Sequence, residues 1–219
     1  MPFEIACVVG ARPNFIKMAA LMHELRRRPR FSTQLIHTGQ HFSPEMSDLF
    51  FRELEIPEPD VNLGVGSGTQ TTQTAEIMRR LDATFAERKP DLVLVVGDVN
   101  STMAAALVAA KLWIPVGHVE AGLRSFDRRM PEEINRLVTD TLSDYLFVSE
   151  PSGLLNLRAE GVFEDRIFLV GNVMIDTLLR FRQRAALSGV LDRFGLKPES
   201  YVTVTLHRPS NVDEPGATK

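Results

Sequence analysis

Residues 91–136 read DLVLVVGDVNSTMAAALVAAKLWIPVGHVEAGLRSFDRRMPEEINR, and the alternation of apolar and polar runs in this stretch decides the fold. Leu92 to Val96 is an unbroken apolar run, too short for a helix and bounded by Pro90 and Gly97. That is how a parallel strand covered on both faces reads. STMAAALVAAKL then predicts a helix, Ile114 to Val119 a second buried strand, residues 121–130 a loop, and Pro131 the opening of another helix. The first strand stops at Gly97-Asp98, the second at Glu120, and a third acid arrives at Glu132. Ligands of open parallel sheets bind beyond the carboxyl ends of the strands, so Asp98 and Glu120 are expected to share one crevice.

Each acid also has an ordinary reading. Asp98 could hydrogen-bond backbone in a turn or cap the helix entered through Asn100-Ser101. Glu132 and Glu133 follow Pro131 directly, and a helix dipole favours acids in its first turn whatever their function. Glu120 is harder to dismiss, because a carboxylate closing an apolar strand has no routine structural task.

Working outward, Phe3 to Val9 predicts the first strand, and Gly10-Ala11-Arg12-Pro13 turns it into a helix with Phe15, Ala19 and Met22 at helical spacing. A strand, a glycine turn and a helix N-terminus make a natural anion site, with Arg12 and Lys17 nearby. Thr33 to Ile36 predicts strand two, followed by His37-Thr38-Gly39-Gln40-His41 and a short helix capped by Ser43-Pro44-Glu45. No carboxylate or cysteine stands at ligand spacing, so His37 and His41 read as loop hydrogen-bonding residues and no metal is expected. Pro57 to Gly68 reads as a mobile loop over the crevice, and Gln70 to Arg88 as a helix presenting Ile77, Met78, Leu81 and Phe85 to the core. Downstream, strands are expected at Tyr145 to Val148 and Ile167 to Val170, helices from Pro151 and from Val173 to Arg184, and a last strand at Tyr201 to Leu206. The whole is an α/β chain with a doubly wound parallel sheet. Residues 1–171 form a Rossmann-like domain, and 172–219 a hinge helix with the first strand of a second, truncated domain.

Composition narrows the function. The chain has 219 residues, 44% of them apolar, a net charge of −3 and one cysteine. That length suits one domain with part of another, and the charge argues against a broad nucleic-acid surface. Arg26-Arg27-Arg28 reads as the dipole-favoured end of a helix. Cys7 lies within the first strand and reads as a small core residue. With no membrane-length apolar run and no signal-peptide pattern, the protein is expected in the cytoplasm. Neither Gly10-Ala11-Arg12-Pro13 nor Gly64-Val65-Gly66-Ser67-Gly68 makes a nicotinamide-binding fingerprint, so no cofactor is expected.

Taken in order, GARPNFIK, TGQH, VVGD, PVGHVEAGLR, PEEINR, GN with Asp176 following, and TLHRPSN resemble the non-hydrolysing UDP-N-acetylglucosamine 2-epimerases across essentially the whole chain. The resemblance implies a glycosyltransferase-B architecture, two Rossmann-like domains facing each other across a cleft, assembled as a homodimer. It implies interconversion of UDP-N-acetylglucosamine and UDP-N-acetylmannosamine by elimination of UDP to a 2-acetamidoglucal and re-addition. Asp98, Glu120 and Glu132 match the family's catalytic acids, and His207 matches a histidine that assists the leaving phosphate. Arg12, Lys17 and Arg136, with Gln40 and His41, match substrate-binding positions in the cleft. Asn14 stands where many members carry Glu, and no arginine lies near Gly68-Thr69-Gln70, where some members place one for activation by substrate. Two other readings remain beside this one: a half-cleft fragment that binds nucleotide sugar weakly, and a glycosyltransferase-B relative acting on another UDP sugar.

Overall fold

In the computed structural model, which describes residues 1–40 and 51–205, strand and helix alternate along the chain. β1 (Phe3–Val9) leads to α1 (Arg12–Arg26) and β2 (Phe31–His37); β3 (Val61–Asn62) leads to α2 (Gln70–Glu87). β4 (Leu92–Val96), α3 (Asn100–Lys111), β5 (Val116–Ala121), α4 (Pro131–Leu142), β6 (Tyr145–Val148), α5 (Pro151–Ala159), β7 (Ile167–Leu169), α6 (Val173–Ala186) and α7 (Val190–Arg193) follow. All the strands run parallel in one sheet, ordered β3-β2-β1-β4-β5-β6-β7. Successive strands step outward one way from β1 and the other way from β4, so the switch point lies between these two.

Side chains of a strand alternate between faces, and both faces here are covered. Ala6, Val8, Val93, Val95 and Val116 meet Ile77, Leu81 and Phe85 of α2 and the alanines of α3. Ile5, Cys7, Val9, Leu94, Val96 and Val119 meet Phe15, Met18 and Met22 of α1. These strands therefore carry no polar face in the core, which is why β1 from Ile5 onward and the whole of β4 are apolar without interruption. Each of the larger side chains, the valines, leucines, isoleucines, phenylalanines and methionines, contributes about 1.5–3 kcal/mol by leaving water. Cys7 is enclosed in this core, and burial, with Asp60 adding to it, pushes its thiol up to about 12.

Several expectations are corrected. β5 starts at Val116, two residues late, because Pro115 has no N–H to give a ladder; its carbonyl still accepts from Val93 N at 2.9 Å. The loop from Pro57 to Gly68 contains the edge strand β3, whose Val61 and Asn62 pair with Ile36 and His37. His37 is the last residue of β2 rather than a loop residue, and its ring lies 5.3 Å from that of Phe15 and 5.9 Å from that of Phe51, inside an aromatic cluster. Tyr201 to Thr205, the described part of the last expected strand, forms no strand, since none of the described strands pairs with it. The expected helix at Ser43-Pro44-Glu45 falls outside the described residues.

The chain divides into two compact units, Met1–Arg180 and Phe181–Lys219. The first contains the whole sheet; the described part of the second contains the end of α6 and the short α7. Among the described residues, no helix is long and apolar enough to cross a membrane.

Candidate active site

Val96 pairs with Val119 in the β4–β5 ladder, and Gly97 N donates to the Val119 carbonyl at 3.0 Å. Gly97-Asp98 and Glu120 therefore leave the sheet side by side. Glu120 does so from a distorted backbone. Its φ of 74° is left-handed, and the register to β6 slips between Val119 and Ala121. Such a conformation costs a non-glycine residue about 1–3 kcal/mol, and a bulge of this kind re-aims a side chain. Here it aims the Glu120 carboxylate at the buried ammonium of Lys17, and the two form an ion pair. Gly97 lets them approach: a Cβ there would sit 2.9 Å from Lys17 Nζ and 3.5 Å from Glu120 Oε2, at a φ of 68° that L side chains avoid.

Asp98 is neither a helix cap nor the centre of a turn. Its Oδ2 accepts from Arg136 Nε at 3.1 Å and Nη2 at 2.7 Å. Arg136 Nη1 donates to Glu133 Oε2 at 2.6 Å. Burial opposes the charge on this guanidinium, but Asp98 and Glu133 outweigh it and hold its pKa above the usual value. Glu133 in turn accepts from Ser125 N and Oγ at 2.9 and 3.0 Å and from Phe126 N at 3.0 Å. Burial works to raise the Glu133 carboxyl; these donors and Arg136 prevail and leave it below its ordinary value. The loop between β5 and α4 is thus fastened to the helix that carries Arg136.

Glu132 takes the other role in the same helical turn. It is half-buried, and its carboxylate meets no hydrogen-bond donor or cation among the described residues. Arg12, at the start of α1, is exposed and likewise has no acidic partner there. Lys17, expected beside Arg12 as an anion-binding group, is instead committed to Glu120. Gln40 is buried, and its Oε1 accepts from Ser101 N at 3.0 Å and Ser101 Oγ at 2.6 Å, so its carbonyl caps α3. Asn14 holds the glycine turn: Oδ1 accepts from the amides of Gly10 and Ala11, both at 3.2 Å, and Nδ2 donates to the Val96 carbonyl at 2.8 Å. A glutamate at this position would lack that donor. His41 and His207 lie outside the described residues.

Sequence reasoning missed His118, Glu133, Asn135 and Asp140. His118 is enclosed between strands, with Nδ1 2.6 Å from Asp140 Oδ1 and Nε2 2.8 Å from the Gly97 carbonyl. Asn135 Nδ2 donates to the Asp98 carbonyl at 2.8 Å. A signal was present: Glu133, Arg136 and Asp140 recur at i, i+3 and i+7, a polar stripe where a core-facing helix would carry an apolar one.

The arrangement brings two carboxylates, each matched to a cation, to adjoining strand ends, and sets a third, with no partner among the described residues, at the nearby helix start. Acids held in place by a bonded partner are positioned to meet a substrate proton, which suits acid/base groups. The family model described as UDP-N-acetylglucosamine 2-epimerase matches residues 23–219. Among curated relatives, the UDP-N-acetylglucosamine 2-epimerase homolog of Methanococcus maripaludis is 47% identical over 96% of this chain and 58% of its own. The UDP-2,3-diacetamido-2,3-dideoxy-D-glucuronate 2-epimerase of Pseudomonas aeruginosa is 43% identical over 97% of this chain and 59% of its own. Among solved structures, the Methanocaldococcus jannaschii UDP-GlcNAc 2-epimerase in complex with UDP-GlcNAc and UDP superposes with a TM-score of 0.88 at 42% identity, covering 97% of this chain and 59% of that one. The chain thus spans between half and two thirds of the length of these relatives.

Proposed function

The chain belongs to the UDP-N-acetylglucosamine 2-epimerase family, and from that premise we propose that it carries the acid/base groups of an isomerase that inverts C2 of a UDP-N-acetylhexosamine. The observation that supports this most is the pairing of Asp98 with Arg136 and of Glu120 with Lys17 at neighbouring strand ends. In the elimination, a carboxylate takes the C2 proton as the bond from C1 to the UDP oxygen breaks, leaving a 2-acetamidoglucal and UDP. In the return step, the UDP oxygen attacks C1 while an acid delivers a proton to the opposite face of C2. Two acid/base groups on opposite sides are therefore required, and Asp98, Glu120 and Glu132 supply the candidates. Arg12, which has no acidic partner among the described residues, offsets the negative charge of the departing pyrophosphate, with His41 and His207 as further contacts, while Lys17 and Arg136 hold Glu120 and Asp98 in place. No cofactor enters this scheme.

In this reading residues 1–171 are one wall of a glycosyltransferase-B cleft, residues 172–219 begin the facing domain, and the intact protein is a cytoplasmic homodimer. The test is incubation of the intact protein with UDP-N-acetylglucosamine and chromatography of the products. UDP-N-acetylmannosamine is expected, and its formation should fall with Asp98→Asn; no epimer at any enzyme concentration contradicts the reading. The 43% identity to an epimerase named for a diacetamido glucuronate sugar gives a second reading, the same inversion on a UDP-linked uronic acid. Parallel assays with both UDP sugars distinguish the two.

A further inference from the structure

We propose that His118 is a positioning residue held as a buried imidazolium, through which Asp140 fixes where both Asp98 and Glu120 leave the sheet. The ring is 0% exposed. Nε2 faces the Gly97 carbonyl at 2.8 Å, and a carbonyl can only accept. Nδ1 faces Asp140 Oδ1 at 2.6 Å. Asp140 behaves as an acceptor throughout: its Oδ2 takes Gly122 N at 3.0 Å and Arg124 Nη1 at 2.7 Å. Burial works to raise the Asp140 carboxyl, and His118 and Arg124 outweigh it, so the group stays ionised below its ordinary value. A neutral imidazole has one N–H and one lone pair, and would leave a lone pair against an acceptor on one side. Only the doubly protonated ring serves both contacts.

The surrounding charges accommodate that cation. α4 brings Asp140; the loop after β5 brings Arg124 to the far side of Asp140, where Glu160, at the end of α5, pairs with it at 2.7 Å. β4 brings the Gly97 carbonyl and then Asp98, itself matched by Arg136, and farther along β5 Glu120 is matched by Lys17. The mechanical consequence follows from the bonds of two peptides. Gly97 is held to β5 at both polar atoms, by Val119 through its N–H and by His118 through its carbonyl. Gly122, just past the bulge that carries Glu120, is held by the same Asp140. One carboxylate therefore ties the end of β4, where Gly97 leads into Asp98, to the bulge of Glu120.

The charge state is tested on this 219-residue chain, without reference to activity, by NMR with nitrogen-15 histidine, the His118 signals being assigned by their loss in His118→Gln. Hydrogens on both ring nitrogens at pH 8 are expected; a single N–H on a neutral ring overturns the inference. The positioning role rests on the acid/base reading and is tested in the intact protein with Asp140→Asn, which keeps the shape and an acceptor for Gly122. Misplacing the acids by about an ångström should lower kcat roughly a hundredfold, with KM within about threefold of the parent. An unchanged kcat overturns the positioning role. An intact parent that turns over no UDP sugar defeats the functional reading instead, while the NMR result still decides the state of His118.

Discussion

The carboxyl ends of β4 and β5, on one hand, and the edge strand β7 with the helix α6 that follows it, on the other, are written in the same sequence vocabulary, short apolar strands and amphipathic helices, yet they are finished differently. At β4 and β5 the strands are enclosed on both faces, and His118, Asn135, Asp140 and Arg136 satisfy the polar groups of the turns beyond them. Among the described strands β7 pairs with β6 alone, and Leu169 of β7 and Ile175 of α6 are each 55% exposed, Leu178 65% and Leu179 60%. α6 is fastened along one side, by Thr177 Oγ1 donating to the Ile16 carbonyl at 2.8 Å and Arg180 donating to Glu55 at 2.8 Å. Periodicity specifies an element whether or not its partner is at hand; rigidity comes only with the partner. Asp98 and Glu120 sit where the chain supplies their partners itself, the setting in which a side chain can be held for proton transfer.

The contrast can be broken most forcefully at the acids. Asp98→Asn, Glu120→Gln and Glu132→Gln in the intact protein should each lower turnover by about two to four orders of magnitude with the fold retained by circular dichroism; near-parental rates for all three would remove the site. Next in size is the core: Phe85→Ala should cost about 3–5 kcal/mol in urea denaturation of the 219-residue chain. Gly97→Ala should cost about 1–3 kcal/mol, since it forces a left-handed backbone on an L residue and drives a methyl against Lys17.

Acid should then loosen the same end of the sheet. Glu133 and Asp140 lie below their ordinary values of 4.5 and 3.8. Depressed carboxylates bind fewer protons folded than unfolded, so their stabilisation is full above those values and is lost as pH falls through the lower, folded ones. Denaturation midpoints measured from pH 6 downward should therefore decline mainly below about pH 4.5, and less steeply in Glu133→Gln. Smallest of all, Leu178→Ala and Leu179→Ala at the edge should change stability by no more than about 0.5 kcal/mol. A loss comparable to Phe85→Ala would show that the edge is covered and the contrast false.

The parallel sheet and the faces of α1 and α2 were legible because a buried parallel strand has no polar alternation and a helix has period 3.6. Legible too were Asp98, Glu120 and Glu132 as acids at strand or helix ends. What was hidden depends on pairing across the sheet. Nothing local to Glu120 announces a left-handed backbone or Lys17 as its partner, 103 positions away. His118 sits in an apolar strand and looks like an intruder until Asp140 arrives from a helix. Gln40 was expected at the substrate and its carbonyl turned out to cap α3, because a buried helix N-terminus needs acceptors wherever they can be found. Tyr201 to Thr205 form no strand for the reverse reason: with none of the described strands beside them, propensity alone makes no ladder.

The central claim is that carboxylates at these strand ends move a proton at C2 of the sugar. It is tested most directly by running the intact protein on UDP-N-acetylglucosamine in deuterium oxide and analysing the product by mass spectrometry. Removal from one face and return on the other by a different acid, in a cleft open to water, should place one deuterium at C2 of the UDP-N-acetylmannosamine formed. Epimer formed with protium retained at C2 would contradict the account.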